Sequence, residues 1–223
     1  MLSVVIPAYD TFATIGETID SIVAQTVMPD EIIVVDGGST DGTGEHPSLT
    51  GSTIRVISQG HGGAPSAVNR GVEEAKGDLV AFLDADDLWL PDKLALQISA
   101  LEEDPDLSGV TGHFESFICP AASRSERASW RVPEGPQPGW LLPAFLVRRS
   151  VLDRVGAFDE GLSRGYGVDW FARFRASGET AKLLAQTIVR RRIHRGSLSQ
   201  PSTARDLAYL ETARRALIRR RQL

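Results

Sequence analysis

The chain has 223 residues, of which 42% are hydrophobic and 24% charged, a soluble globular balance that excludes disordered, collagenous and disulfide-framework proteins. With 24 Lys+Arg against 29 Asp+Glu the net charge is −5, which argues against nucleic acid as a partner. One cysteine, Cys119, excludes an internal disulfide and a cysteine-rich zinc site, and no apolar run has the length that spans a bilayer.

Residues 3–6 form a short β-branched run ended by Pro7 and Asp10, a buried strand in pattern. The start lacks the basic segment of a secretory signal, so a cytoplasmic location is expected. Ile15, Ile19, Ile22 and Val23 recur at helical spacing, with Asp10 or Thr11 placed to cap the helix. Residues 31–35 and 54–57 predict two more strands, residues 64–75 a helix closed by Lys76-Gly77, and residues 78–83 a fourth strand apolar enough for burial on both faces. A helix follows from Pro91, with Leu94, Ile98 and Leu101 on one face. This alternation is α/β grammar with a Rossmann-like, mostly parallel central sheet flanked by helices.

Beyond Pro105 the pattern weakens. Residues 109–117 predict a strand, and a polar, proline-containing loop runs from Ile118 to Pro138. Strands at 144–147 and 187–189, helices at 150–155 and 168–176, and a basic helix over 204–223 carrying Arg214, Arg215, Arg219, Arg220 and Arg221 complete the reading.

In an open parallel sheet, ligands bind beyond the carboxyl ends of the strands. Three strand ends carry small or acidic residues: Pro7-Ala8-Tyr9-Asp10, Asp36-Gly37-Gly38-Ser39-Thr40-Asp41 and Asp84-Ala85-Asp86-Asp87. On an extended backbone Asp84 and Asp86 point to one side, offering hard oxygen ligands to Mg²⁺ or Mn²⁺; the plainer role is capping of the next helix by Asp86 or Asp87. Asp36 can accept hydrogen bonds from a base or ribose or simply make a turn. Tyr9 can stack on a nucleobase or pack. Asp169 stands in the first turn of a helix after Gly165-Tyr166-Gly167, a position acids favour on structural grounds alone. His194, between arginines, is a phosphate or metal contact or a surface residue. No Gly-x-Gly-x-x-Gly follows the first strand and no P-loop is present.

Three segments, Ser3-Val4-Val5-Ile6-Pro7-Ala8-Tyr9-Asp10, residues 33–43 and residues 81–91, resemble in order and spacing the family 2 glycosyltransferases of GT-A fold. Residues 145–158, ending Gly156-Ala157-Phe158-Asp159, and the Arg192-x-His194 segment fit the second half of that family. The resemblance implies one GT-A domain over 1–223: a nucleotide-sugar half (1–104), an acceptor half (105–200) and the basic C-terminal helix (201–223). It implies inverting, metal-dependent transfer from a UDP-, GDP- or dTDP-sugar to a glycan, lipid-linked or other hydroxyl acceptor. Asp84, Asp86 and His194 would serve Mn²⁺ or Mg²⁺; Pro7, Ala8, Tyr9, Asp10, Asp36, Gly37, Asp84 and Ala85 would line the donor site; Asp169 would be the catalytic base. Gly37 and Val168 stand where the family often has acids, which motivates a second reading as a catalytically weak donor-binding or partner subunit. Residues 120–140, with Trp130 and Trp140, would meet the acceptor, or those tryptophans close a core. Contact of the arginine-rich C-terminus with the inner face of a membrane, and a homodimer, are further expectations.

Overall fold

The computed structural model describes residues 1–130, 132–195 and 197; the expected basic helix and its membrane contact lie outside the described residues. In chain order the elements are β1 (Leu2–Ala8), α1 (Phe12–Val23), β2 (Glu31–Asp36), β3 (Ile54–Ser58), α2 (Gly63–Glu74), β4 (Leu79–Phe82), β5 (Leu88–Trp89), α3 (Lys93–Glu103), β6 (Gly109–Ile118), α4 (Arg124–Ser129), β7 (Gln137–Pro138), β8 (Leu146–Arg148), α5 (Arg149–Val155), α6 (Tyr166–Ala176) and β9 (Ala181–Ile193).

They build one nine-stranded sheet in the order β3-β2-β1-β4-β8-β6-β9-β5, with β7 beside β6. The first four strands are parallel, as expected. The other half is mixed: β8 runs antiparallel to β4 and β6, while β6 and β9 are parallel. The mostly parallel sheet of the sequence reading is therefore confined to its N-terminal part.

Continuous apolar strands arise because both faces of this sheet are covered. Along β1, Val4 and Ile6 pack toward Ile15, Ile19 and Ile22 of α1. Val5, between them, packs toward Val68 of α2, Phe82 and the α6 aromatics Trp170 and Phe174. Lys93 is buried within this framework; its Nζ donates to Gln97 Oε1 at 2.6 Å and lies 4.0 Å from the Trp89 ring centre. Gln97 in turn donates to the Val110 and Ala144 carbonyls, tying α3 to β6.

Three expectations change. The loop after Ile118 contains α4, closed at its start by a reciprocal Ser123–Glu126 capping box, and the short β7. The last strand is 13 residues long rather than three; pairing with β6 carries it through polar positions that break its apolar pattern. Neither Asp10 nor Thr11 caps α1 with its side chain: the Phe12 amide donates to Asp41 Oδ2 at 2.9 Å, and Asp10 Oδ1 accepts from the Thr40 amide at 2.8 Å. Among the described residues no helix is long and apolar enough to cross a membrane.

The seat of α2 on β1 depends on Gly71, where an added Cβ would stand 2.3 Å from Val5 Cγ1. Gly71→Ala is expected to destabilise by about 1–3 kcal/mol through overpacking, read by chemical denaturation. Unchanged stability would mean that the helix does not sit this close.

Candidate functional site

The carboxyl ends of β1, β2 and β4 do converge. Pro7, Ala8, Tyr9, Asp10, Gly37, Asp84, Ala85 and Asp86 line one cavity of about 470 Å³, completed by Thr11, His61, Asp87, Ser163, Tyr166, Arg191, Arg192, His194 and others. Tyr9 is 47% exposed, and its ring centre is 4.5 Å from that of His61. The loops after β1 and β2 are laced together: the Asp10 amide donates to Ser39 Oγ at 2.9 Å and the Thr11 amide to Thr43 Oγ1 at 2.8 Å. Asp10 is held at φ +49°, a left-handed conformation that short polar side chains tolerate best.

The acidic segment after β4 is a turn, not the extended run expected: the Asp87 amide donates to the Asp84 carbonyl at 3.1 Å. The turn still gathers the carboxylates, and adds one. Oxygens of Asp84, Asp86 and Asp87 lie within 4.8 Å of one another. Burial first, and the neighbouring Asp86 charge second, push the Asp84 carboxyl up to about 7 against the opposing pull of Arg191. Burial, then Asp86 and Asp84, push Asp87 well above the carboxylate range. Asp87 does not cap α3; its Oδ1 accepts from the Arg192 amide at 2.8 Å.

The turn is pinned from two sides. From α1, Thr14 Oγ1 donates to the Ala85 carbonyl and Thr18 Oγ1 to the Asp87 carbonyl, each at 3.0 Å. From β9, the buried Arg192 donates through Nε to the Asp86 carbonyl at 2.8 Å and pairs with Glu17 of α1 at 2.5 Å. His194 Nε2 meets Asp86 Oδ2 at 2.7 Å. Crowded hard-oxygen donors, two of them with carboxyls raised by burial, fit a small divalent cation. Asp84, Asp86 and Asp87 would supply its oxygens, and His194 is adjacent.

Two sequence-assigned residues stand apart from the cavity. Asp36 is 8% exposed and is absent from the lining; its Oδ1 accepts from the amide and hydroxyl of Ser39. It shapes the loop instead of forming the pocket wall. Asp169 is fully buried, and its Oδ2 accepts from Arg173 Nε at 3.0 Å. Arg173 also donates to the carbonyls of Val155 and Ala157, so the pair fastens α6 to the preceding loop. Asp169, the residue expected as the base, is thus engaged with Arg173 in this structure. Neither Trp130 nor Trp140 lines the cavity; Trp140 packs edge-on to Phe171 beneath Arg175. The sequence reading missed Arg191, His61, Ser163 and Tyr166. The Arg191 side chain is half-buried, makes no hydrogen bond among the described residues, and acts on Asp84 and Asp87 through its charge. Its signal was the arginine run at the end of β9, but only the strand's pairing shows where that end lies.

Because Asp84 keeps its proton up to about pH 7 in the fold but to about pH 4 unfolded, its contribution is full at low pH and is lost as pH rises through 7. A divalent cation replaces that proton. Mn²⁺ is therefore expected to raise the melting temperature more at pH 8 than at pH 6, by differential scanning fluorimetry. An equal shift at both values, or none, contradicts the assignment.

Comparison with known proteins follows the same direction. The family model described as "Glycosyl transferase family 2" matches residues 3–171. An uncharacterized glycosyltransferase of Rickettsia typhi is 29% identical over 87% of this chain and 64% of its own length. A second relative is a UDP-Glc:alpha-D-GlcNAc-diphosphoundecaprenol beta-1,3-glucosyltransferase of Escherichia coli, 32% identical over 52% of this chain and 46% of that protein. The chain thus spans less than two thirds of the length of these curated relatives. The crystal structure of S. aureus TarS 1–349 in complex with UDP-GlcNAc superposes with a TM-score of 0.72, at 20% identity, over 97% of this chain and 65% of that one; the likeness is one of fold.

Proposed function

The chain belongs to glycosyl transferase family 2, and from that premise we propose that it transfers a sugar, with inversion, from a nucleoside diphosphate sugar to a hydroxyl acceptor. The observation that carries this reading is the meeting of three carboxylates and a cation, Arg191, in one cavity beside an exposed aromatic pair. Asp84 and Asp86, with Asp87 behind them, would hold Mg²⁺ or Mn²⁺, which supplies charge neutralisation to a leaving diphosphate. Arg191 adds a guanidinium on the same side. Tyr9 and His61 offer ring faces to a base, and the backbone at Ala8 and Gly37 forms the adjoining wall. Glu17 and Arg192 keep the acidic turn in place during departure of the leaving group. A lipid-linked glycan is the acceptor class we favour, by likeness to the Escherichia coli relative; peripheral membrane contact belongs to the same reading.

A second reading, donor binding without efficient transfer, is favoured by the sequestration of Asp169. Titration calorimetry with UDP-, GDP- and dTDP-sugars plus Mn²⁺, paired with a turnover assay over an acceptor panel, separates the two: binding without product supports the second, multiple turnovers the first.

Asp86→Asn is expected to weaken donor binding by at least about a hundredfold, because it removes a ligand charge at the centre of the cluster. Wild-type binding by that variant counts against the metal assignment. Asp169→Asn is expected to act on stability. It should lower Tm by several degrees by breaking a buried pair, with kcat per folded molecule within about threefold of wild type. A loss of 10²-fold or more at unchanged Tm would restore the residue as general base.

A further inference from the structure

The hydroxyl of Thr11, a residue of the cavity lining, takes part in none of these interactions. Thr11 Oγ1 is buried and lacks any hydrogen-bond partner among the described residues. An orphaned buried hydroxyl is uncommon in folded proteins and is destabilising. This one does not do what its position allows: Thr11 is the N-cap residue of α1, and its side chain caps nothing. Its surroundings explain the idle state. The Thr11 amide is committed to Thr43 Oγ1 and its carbonyl accepts from the amides of Thr14 and Ile15. The backbone is therefore fixed from both sides, while the side chain is left over. Asp10, immediately before it, is held at φ +49°.

Its location is as specific as its lack of a partner. Thr11 lines the cavity together with Asp10 and the acidic turn. One helical turn further along α1, Thr14 Oγ1 bonds the Ala85 carbonyl inside that turn. Thr11 thus stands at the positive end of α1, in the same cavity lining as the carboxylates proposed to hold a cation, where an anionic group is stabilised by the helix dipole.

We propose that Thr11 is a donor-contacting residue, whose hydroxyl turns about its χ1 bond into the cavity and donates to an oxygen of the bound nucleoside diphosphate. The inference rests on the donor-site reading given above. It adds a specific residue and a consequence: the unmade bond destabilises the ligand-free protein, and the ligand satisfies it. Thr11→Val keeps the shape and removes the hydroxyl; Thr11→Ser keeps the hydroxyl.

The test measures, on the full chain, ligand-free Tm and affinity for UDP, GDP and dTDP in the presence of Mn²⁺. The expected result is a Thr11→Val protein whose ligand-free Tm is equal to or above wild type and whose affinity for the bound diphosphate falls about tenfold, with Thr11→Ser retaining wild-type affinity. A purely structural hydroxyl would not produce that split. If wild type binds a diphosphate and Thr11→Val binds it equally well, the Thr11 inference alone is overturned. If Thr11→Val lowers the ligand-free Tm, the hydroxyl has a structural partner in solution and the inference is likewise overturned. If wild type binds none of the three diphosphates with Mn²⁺, the donor-site reading fails and the inference with it.

Discussion

The site depends on the grip of Arg192 on the acidic turn. A segment carrying Asp84, Asp86 and Asp87 has every electrostatic reason to open outward, since two unit charges about 4 Å apart repel by ~4 kcal/mol even at an effective dielectric of about 20. Arg192 opposes this with its backbone amide on Asp87 and its guanidinium on the Asp86 carbonyl. It reaches them because β9 is paired along its whole length to β6 and, near its end, to β5, whose Leu88 and Trp89 directly follow the turn. Glu17 on α1 closes the frame from the opposite side. A strand from the second half of the chain thus holds in place the chemistry contributed by the first.

Burial rather than mutual repulsion is the larger cause of the raised Asp84 and Asp87 carboxyls, and this bears on how the site works. A cluster raised mainly by repulsion would relax by swinging one side chain into water. Here the turn is held by α1 and β9, so Asp84 and Asp87 are poorly placed to turn into bulk water, and burial favours their protonated or cation-bound forms. Arg191, in the lining of the same cavity, offsets part of the negative charge on Asp84 and Asp87. That leaves a cationic group and an acidic cluster facing the same space, an arrangement suited to a ligand that is itself anionic and metal-bound.

Much of this was legible in the sequence. The strands ending at Ala8, Asp36 and Phe82, and the acidic segment after the last of them, were readable because apolar runs followed by Pro, Gly and Asp have few other folded uses. What escaped were the facts that depend on pairing between distant segments: the length of β9, the side of the cavity to which Arg191 belongs, and the mixed C-terminal sheet. Two of the carboxylates singled out in the sequence have local partners that the chain itself foreshadows. Asp169 and Arg173 are four apart on a helix, the spacing of an intrahelical ion pair. Asp36 stands three before Ser39, whose amide and hydroxyl both donate to it within the same loop. In each case a local partner within reach engages the carboxylate.

Gly37 shows how the donor rim differs from what the resemblance implied. An added Cβ there would lie 3.5 Å from the Ala8 carbonyl and 3.8 Å from the Tyr9 ring, ordinary contact distances, and the residue is not held at positive φ. A Cβ is therefore tolerated at this position. The absence of an acidic side chain is a chemical difference, and Asp36 does not make up for it, because its carboxylate is bound to Ser39. The part of the rim that would read the edge of a base is left to backbone groups and to Asp10, whose Oδ1 is already engaged with Thr40. The ring faces of Tyr9 and His61 remain exposed beside it. Stacking discriminates among bases far less than carboxylate hydrogen bonding does. Under the donor-site proposal, selectivity would then rest on the rest of the cavity, lined by Arg191, the acidic turn and Tyr166.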